Sequence, residues 1–430
     1  MCGIAGFTGK TNPNLLRSMT NALAHRGPDA DGFYSDNATG VHFGHRRLSI
    51  LDHDGGTQPM HSVCGNIVIV FNGEIYNFRE LRKELTALGA TFRSDHSDTE
   101  VLLEAWRIWG TSMTTRLNGM WAFVIHDRVQ GVLFASRDRF GKKPLFWCQT
   151  GGTFVFSSEL SSIRTHPNIT NNLDELAIRK YFAYGYVPAP RTILQGVHKL
   201  PPGHSLLLNL ANNQLTTTCY WKYQPQPDTS LREEDAVEQL RCLLSDAVAR
   251  RMVADVPVGC FLSGGLDSSI ITALAKSLGG HGNLRAYSIG FDEAAFDESR
   301  FAAQVAHHLS VDHRISTVSL SDTLANLPNL VKKWDEPIAD SSMLPTWLLC
   351  GHARSEVTVA LGGDGADELF AGYDTFKALR YAHLADRLLP APIHRGIAML
   401  AARLPVSHGY MSFDFRLKRL IRGINYPPQL

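Results

Sequence analysis

The amino-acid sequence predicts an α/β chain of two domains, on three observations. Its 430 residues exceed the roughly 100–200 that one core encloses. The first half alternates short β-rich runs with amphipathic helices, and the second half repeats strand, turn and helix as a parallel sheet does. Composition agrees, since 44% apolar and 19% charged residues describe a globular chain. With 42 basic against 41 acidic residues the formal charge is +1, which gives no electrostatic case for nucleic acid or membrane as a partner.

In chain order, 67–71, 120–125, 132–136 and 154–157 read as strands, because β-branched and aromatic residues gather there between turn residues. Residues 78–88 and 99–109 carry apolar side chains at helical spacing. Layered sheets flanked by helices follow. Proline then concentrates in 186–193 and 199–203, where periodicity is lost, marking an ordered, non-helical connection. A second proline-bearing stretch, 223–230, precedes a helix over 231–252 and sets the boundary between domains 2–222 and 231–430. Beyond it, strands at 256–262, 284–290, 313–316 and 357–361 alternate with helical runs at 269–278, 298–309, 320–333 and 343–354, and a further helix is predicted over 374–389. Alternation of this kind predicts a parallel sheet covered by helices on both faces, with ligands at the carboxyl ends of its strands.

Phe261-Leu262-Ser263-Gly264-Gly265-Leu266-Asp267-Ser268-Ser269 stands at one such end. Two glycines let the backbone approach an oxyanion. Ser263, Ser268 and Ser269 add hydroxyl donors, and the first amides of the next helix point at the same spot. Phosphate fits this turn, although no Gly-Lys-Ser/Thr follows to make it a Walker loop. At another strand end, Gly362-Gly363-Asp364-Gly365-Ala366-Asp367-Glu368 gathers three carboxylates among glycines. Opposite a phosphate loop that suits magnesium, which takes one or two carboxylates plus phosphate oxygens.

Seven cysteines, at 2, 64, 148, 219, 242, 260 and 350, lie far apart without CxxC spacing. They argue against a disulfide framework or a zinc site and for a reducing, cytoplasmic location. No run approaches the ~18 apolar residues that span a bilayer, and the opening MCGIAGF lacks a basic n-region and a long apolar segment. Neither membrane nor export is expected. Removal of Met1 would leave Cys2 with a thiol and an α-amine together. Such an amine titrates near pH 8, so it can take the thiol proton and one residue supplies both nucleophile and base.

The Ser263 turn resembles SGGxDS, the pyrophosphate-grasping loop of the ATP pyrophosphatase family, whose members cleave ATP between the α and β phosphates and adenylate a substrate. Cys2-Gly3-Ile4-Ala5-Gly6-Phe7 resembles the opening of class II glutamine amidotransferases. His25-Arg26-Gly27-Pro28-Asp29, His45-Arg46-Arg47-Leu48-Ser49-Ile50, Phe71-Asn72-Gly73-Glu74-Ile75-Tyr76-Asn77 and Ser97-Asp98-Thr99-Glu100 follow in that family's order. Arg137-Asp138-Arg139-Phe140-Gly141-Lys142-Lys143-Pro144-Leu145 resembles the RDxxGxKPL segment of asparagine synthetase-like enzymes, and Ser157-Ser158-Glu159-Leu160 extends the match. Residues 362–368 resemble their SGEGxDE segment. The likeness to glutamine-hydrolysing asparagine synthetases covers essentially the whole chain.

The resemblance implies an αββα sandwich of the N-terminal nucleophile hydrolase type over 2–222 and an ATP pyrophosphatase-type parallel-sheet domain over 231–430. It implies that the second domain is truncated at its C-terminal end, because family members continue into a lysine-bearing helical segment. The implied activity hydrolyses glutamine at Cys2 and uses the ammonia to amidate an aspartyl-AMP made from aspartate and ATP, with magnesium. Asn72, through its side chain, and Gly73, through its backbone, then suit the oxyanion hole. Arg47 can fork onto the α-carboxylate of glutamine, and Asp98 with Glu74 can hold its α-ammonium. Ser263, Gly264, Gly265, Asp267, Ser268 and Gly362 become ATP-binding residues, Leu262, Ile289 and Gly363 adenosine contacts, and Asp267 and Asp367 magnesium ligands. Asp335 to Ser342 also look like a family segment, near the acceptor carboxylate. Asp364 stands where the family has a catalytic glutamate, one methylene shorter, and Gly362 replaces a serine. Those departures leave open amidation of another carboxylate, such as a sugar acid or secondary metabolite, and the implied truncation leaves open a non-catalytic regulatory relative. A path for ammonia stiffened by the connecting prolines, and a homodimer, complete the expectations.

Overall fold

Alternation of side chains along the strands builds the first half. The computed structural model describes residues 1–52, 55–279, 284–292, 297–373, 376, 391–405, 417–418 and 421. In chain order its first elements are β1 (Gly3–Thr8), α1 (Pro13–Asn21), β2 (Ala30–Asp36), β3 (Val41–Arg47), β4 (Met60–His61), β5 (Ile67–Ile75), α2 (Phe78–Ala87) and α3 (Asp98–Trp109). There follow β6 (Gly119–Asp127), β7 (Val132–Arg137), β8 (Phe146–Thr150), β9 (Thr153–Ser157), α4 (Leu160–Ile163), α5 (Glu175–Tyr184), β10 (His198–Lys199), β11 (His204–Asn209) and β12 (Leu215–Cys219). One sheet has the order β10-β8-β9-β1-β3-β2 and the other β12-β11-β7-β6-β5-β4. Every pairing in both is antiparallel.

Successive strand residues point to opposite faces, so each strand serves two cores. Ile4, Phe43 and Phe156 of the first sheet meet Val68, Val70, Ala122, Val124 and Leu133 of the second in one buried cluster. The alternate residues Ile67, Ile69, Phe71, Phe123 and Phe134 pack on Phe78, Leu81 and Leu85 of α2 and on Val101, Leu102 and Trp106 of α3. Ala5, Phe7 and Val155 turn the other way, onto Leu16 and Met19 of α1, Leu23 beyond it and Leu160 and Ile163 of α4. Three apolar layers therefore separate helix, sheet, sheet and helix. This is the αββα sandwich that the resemblance implies.

The remaining elements are α6 (Glu233–Arg251), β13 (Val258–Phe261), α7 (Leu266–Ser277), β14 (Arg285–Phe291), α8 (Ser299–Leu309), β15 (Asp312–Val318), α9 (Leu320–Val331), α10 (Met343–Arg354), β16 (Val359–Leu361), α11 (Ala366–Phe370) and α12 (Ala391–Ala402). The strands form a sheet of order β15-β14-β13-β16, parallel between β13 and β14 and between β14 and β15. Leu262, Ala286, Ala302 and Ala306 make the buried contact of this sheet with α8. Small residues at the helix positions allow that close approach. The strand expected over 256–262 is shorter, and α7 begins at Leu266 rather than 269, which puts Asp267 and Ser268 in its first turn. The helix expected over 374–389 falls outside the described residues except for Phe376.

The chain divides into two compact units, Met1–Val258 with Ser321–Val359, and Gly259–Leu320 with Ala360–Leu430. The units thus interleave along the chain. Among the described residues no helix is long and apolar enough to cross a membrane.

Candidate active site

Cys2 directly precedes β1, and several contacts fix it there. Ile4 N–H donates to Ser158 Oγ at 3.0 Å, and Ser158 N–H returns a bond to the Ile4 carbonyl at 2.9 Å. Arg26 Nε donates to the Cys2 carbonyl at 3.0 Å, while Arg26 Nη1 meets Glu159 at 2.8 Å. The thiol itself accepts from Leu48 N–H at 3.4 Å. Burial pushes the Cys2 thiol up, opposed by the Leu48 bond, the terminal amine, Arg47 and Lys143. The Met1 amine goes the other way: burial brings it to about 6, with Lys143 and Arg26 adding to the shift against the pull of Cys2. With Met1 removed, the free α-amine is that of Cys2 itself, beside its own thiol, where it can accept the thiol proton.

The register of β5 disposes the next residues. Tyr76 N–H donates to the Asn118 carbonyl and Arg128 N–H to the Asn66 carbonyl, so even-numbered β5 residues exchange bonds with β6. Odd-numbered ones turn their N–H to the opposite edge. There Phe71 N–H meets Gln58 Oε1 at 2.6 Å, Ile75 N–H meets Asp98 Oδ2 at 3.0 Å, and the Gly73 N–H points between them. A Cβ on Gly73 would stand 2.1 Å from the Met120 carbonyl, so close pairing with β6 requires glycine, independently of any ligand. Asn72 follows Val68 and Val70 in alternation. It is 1% exposed, and its Nδ2 has no hydrogen-bond partner among the described residues. Leaving a buried amide unpaired costs about 1–3 kcal/mol. His45 supports this strand: burial lowers it to about 4, so the ring is neutral, and its Nε2 lies 3.2 Å from the Phe71 carbonyl.

Arg47, 7% exposed, donates to the carbonyls of Leu51 and Asp52. Asp29 holds the same turn by accepting from Ser49 N–H at 2.8 Å. The turns expected to flank the site are therefore tied to each other. Ser97 caps α3 by accepting from Glu100 N–H, which places Asp98 in the first helical turn and its carboxylate against Ile75. Burial raises Asp98 to about 6, against its backbone hydrogen bonds. Burial and then the charge of Asp98 raise Glu74 to about 7, with Lys143 and the terminal amine opposing. A cation beside the two carboxyls would relieve the charge that Asp98 places on Glu74. Lys143 was quoted in the sequence only as part of a motif. It is 5% exposed, lowered by burial and supported by Glu74. Asp138 fixes its backbone by accepting from the N–H groups of Trp121, Phe140, Lys142 and Lys143 at 3.0–3.2 Å. A lysine two residues past a glycine in a charged turn was the signal available for it.

A pH dependence follows. If Glu74 and Asp98 receive the α-ammonium of an amino acid, KM for glutamine should rise roughly tenfold between pH 8 and pH 6, as Glu74 protonates near 7 and Asp98 near 6. The sign for stability is the reverse. Both folded-state values are raised, so their contribution to folding is complete below about pH 4 and is lost as pH rises through 6 to 7. Initial rates of glutamate release across that range check the first, and ligand-free melting across it checks the second.

In the second unit, Gly264 has φ +84°, and a Cβ there would lie 2.6 Å from Ala302 N, so only glycine fits the turn after β13. Ser263 and Ser268 hydroxyls lie 3.0 Å apart, Ser263 Oγ accepts from Gly265 N–H at 3.2 Å, and Ser269 Oγ donates to the Gly265 carbonyl at 2.6 Å. Gly363 lies against this turn, since its Cβ would come 2.7 Å from Ser268 N and 3.0 Å from the Asp267 side chain. Two separate stretches thus meet at the start of α7. Leu262 is buried, its N–H bonds the Tyr287 carbonyl at 2.9 Å and its carbonyl accepts the Ser288 hydroxyl. Ile289 lies within β14, opposite Ser316. Gly362 and Asp364 fit as a pair, because a Cβ on Gly362 would stand 2.9 Å from Asp364 Oδ2. Tyr373 OH donates to Glu368 at 2.8 Å and is pushed up to about 12, chiefly by that bond, with repulsion from Glu368, Asp367 and Asp364 contributing. Among the described residues no three His, Cys, Asp or Glu side chains are grouped to hold a metal ion. Asp267 and Asp367 offer the one or two carboxylates that magnesium takes alongside substrate phosphate oxygens.

Comparison with known proteins matches the same two halves. Residues 1–221 match the glutamine amidotransferase domain family and residues 239–421 the asparagine synthase family. The chain is 36% identical over 412 residues to glutamine-hydrolysing asparagine synthetase 1 of Bacillus subtilis, covering 94% of this chain and 64% of that protein. A Methanocaldococcus jannaschii protein with the provisional name asparagine synthetase [glutamine-hydrolyzing] 2 is 36% identical over 400 residues, 87% of this chain and 76% of its own length. Amidase ChyE of Penicillium rubens is 30% identical over 412 residues, 88% of this chain and 60% of its own. The chain spans just under two thirds of the Bacillus protein. By these matches and by its two architectures, the chain belongs to the glutamine-hydrolysing asparagine synthetase family.

Proposed function

We propose that the chain is a glutamine-dependent asparagine synthetase. The observation that carries this reading is the presence, in one chain, of the buried Asn72 amide, without a partner among the described residues, in the sandwich that holds Cys2 and of a glycine-serine turn opening α7. Cys2 Sγ attacks the carboxamide carbon of glutamine after passing its proton to the α-amine freed by removal of Met1. Asn72 Nδ2 and the Gly73 N–H receive the charge that develops on the carbonyl oxygen. Collapse of the tetrahedral species breaks the C–N bond, ammonia leaves with a returned proton, and water then cleaves the thioester to glutamate. Arg47 holds the α-carboxylate of glutamine, and Glu74 and Asp98 hold its α-ammonium.

In the second site the β-carboxylate of aspartate attacks the α-phosphorus of ATP and pyrophosphate leaves. Ammonia then attacks the acyl carbon, and AMP departs. Ser263, Gly264, Gly265 and Ser268 cradle the phosphates, with Gly362 and Gly363 closing the cradle and Leu262 and Ile289 beside the adenosine. Asp267 and Asp367 would hold magnesium, whose charge would neutralise the departing pyrophosphate. Asp364 faces the reacting acyl group. The Gly362–Asp364 pairing favours a second reading, amidation of a different carboxylate. Seven cysteines, all free, support a reducing cytoplasmic setting.

The test is a reaction with amide-labelled glutamine, aspartate, ATP and magnesium, followed by mass spectrometry. Labelled asparagine matched by AMP is the expected result. Glutamate without AMP, when aspartate is the only acceptor, would move the assignment to the second reading, and no glutamate at all would remove both.

A further inference from the structure

We infer that Asp335 is a positioning residue for the Cys2 site, acting through Glu159 and Arg26; the inference rests on the glutaminase reading of Cys2. Asp335 lies within the stretch matched by the asparagine synthase family, yet 321–359 packs in the first unit. Its two carboxylate oxygens accept from Leu160 N–H at 2.5 Å and Ser161 N–H at 2.9 Å, the first amides of α4. Those amides would ordinarily be met by the side chain at the position before the helix. That residue is Glu159, and its side chain makes no such bond. It turns instead to Arg26 Nη1 at 2.8 Å and His25 Nε2 at 3.0 Å. Arg26 in turn holds the Cys2 carbonyl through Nε at 3.0 Å.

The contacts form one sequence of substitutions. Asp335 satisfies the α4 amides, so Glu159 is free to face Arg26, and Arg26 with its charge balanced can hold Cys2. Without Glu159 the nearly buried Arg26 guanidinium would have no facing carboxylate, and it would swing toward water or another acceptor. Glu336 anchors the neighbouring position by accepting from Ile193 N–H at 2.7 Å and pairing with Lys199. The segment is therefore pinned at two adjacent points, and the Asp335 carboxylate is held to its task.

Glutamate release and the rate of Cys2 alkylation by iodoacetamide, located by peptide mass spectrometry, are to be measured in the full chain, Asp335→Ala, Glu159→Gln and the double variant. Asp335→Ala should lower kcat for glutamate release about tenfold with KM within about twofold, because the nucleophile rather than the substrate loses its placement. The double variant should be no worse than Glu159→Gln alone, since both act on one contact. Independent, multiplying effects would overturn the inference, as would an Asp335→Ala chain with unchanged kcat and alkylation rate. If Asp335→Ala does not fold, Asp335→Asn, which keeps one acceptor oxygen, carries the same cycle. Alkylation needs no glutamine. A parent chain that releases no glutamate but shows the alkylation coupling would refute the glutaminase reading and leave the contact route standing; neither signal would refute both.

Discussion

Replacing Cys2 with alanine is expected to abolish glutamate release, by on the order of 10⁴-fold or more, while ammonia-driven AMP formation continues. Lys143 is in electrostatic contact with Cys2, and Glu74, Cys2 and Asp138 support its charge against burial. The fold should tolerate the change, because the thiol makes only sulfur bonds of 3.4 and 3.7 Å with the Leu48 backbone. Chain integrity and loss of activity are therefore separable by a melting curve beside the assay. The reciprocal variant, Asp267→Ala, should stop AMP formation and spare glutamate release. Loss of both activities in either variant would mean that the two sites do not divide the chemistry as proposed.

Asn72→Ala carries the second large effect, a fall in kcat for glutamate release of about 10²–10³, or roughly 2.7–4 kcal/mol of transition-state stabilisation, with KM little changed. A donor that meets the oxyanion only as charge develops contributes to kcat and not to binding. Stability should respond differently. Alanine removes a buried amide left without a partner, a gain of about 1–3 kcal/mol that offsets the small cavity it opens. A melting temperature that holds or rises while turnover collapses is the expected outcome. A large drop in melting temperature would instead make Asn72 a structural residue whose partner lies unseen.

Local pattern was enough for most elements. The 2-residue and 3.6-residue periods located the strands now seen as β5, β6, β7 and β9 and the helices α2 and α3, because burial on alternate or helical faces is written into neighbouring residues. The Ser263 turn was equally legible, since Gly264 at φ +84° is a local demand on one residue. Where the reading slipped, at the start of α7, a glycine preceded a helix without any side-chain cap to announce it. Asn72, Gly73, Arg47, Asp98 and Cys2 were legible as residues through motif resemblance. Their relations were not, for the Asn72 amide without a partner among the described residues and the charge that Asp98 places on Glu74 exist only once β5 and α3 are packed.

By itself the sequence determined the order of most strands and helices, the phosphate-type turn and the candidate nucleophile, all of which depend on residues close together in the chain. Only the tertiary structure decided that Lys143 joins the Cys2 pocket, that Gly363 abuts the start of α7, and that Asp335 caps a helix 175 residues before it. Contacts at that separation leave no periodic trace, because closing a long loop is repaid by the packing of whole layers rather than by any local preference.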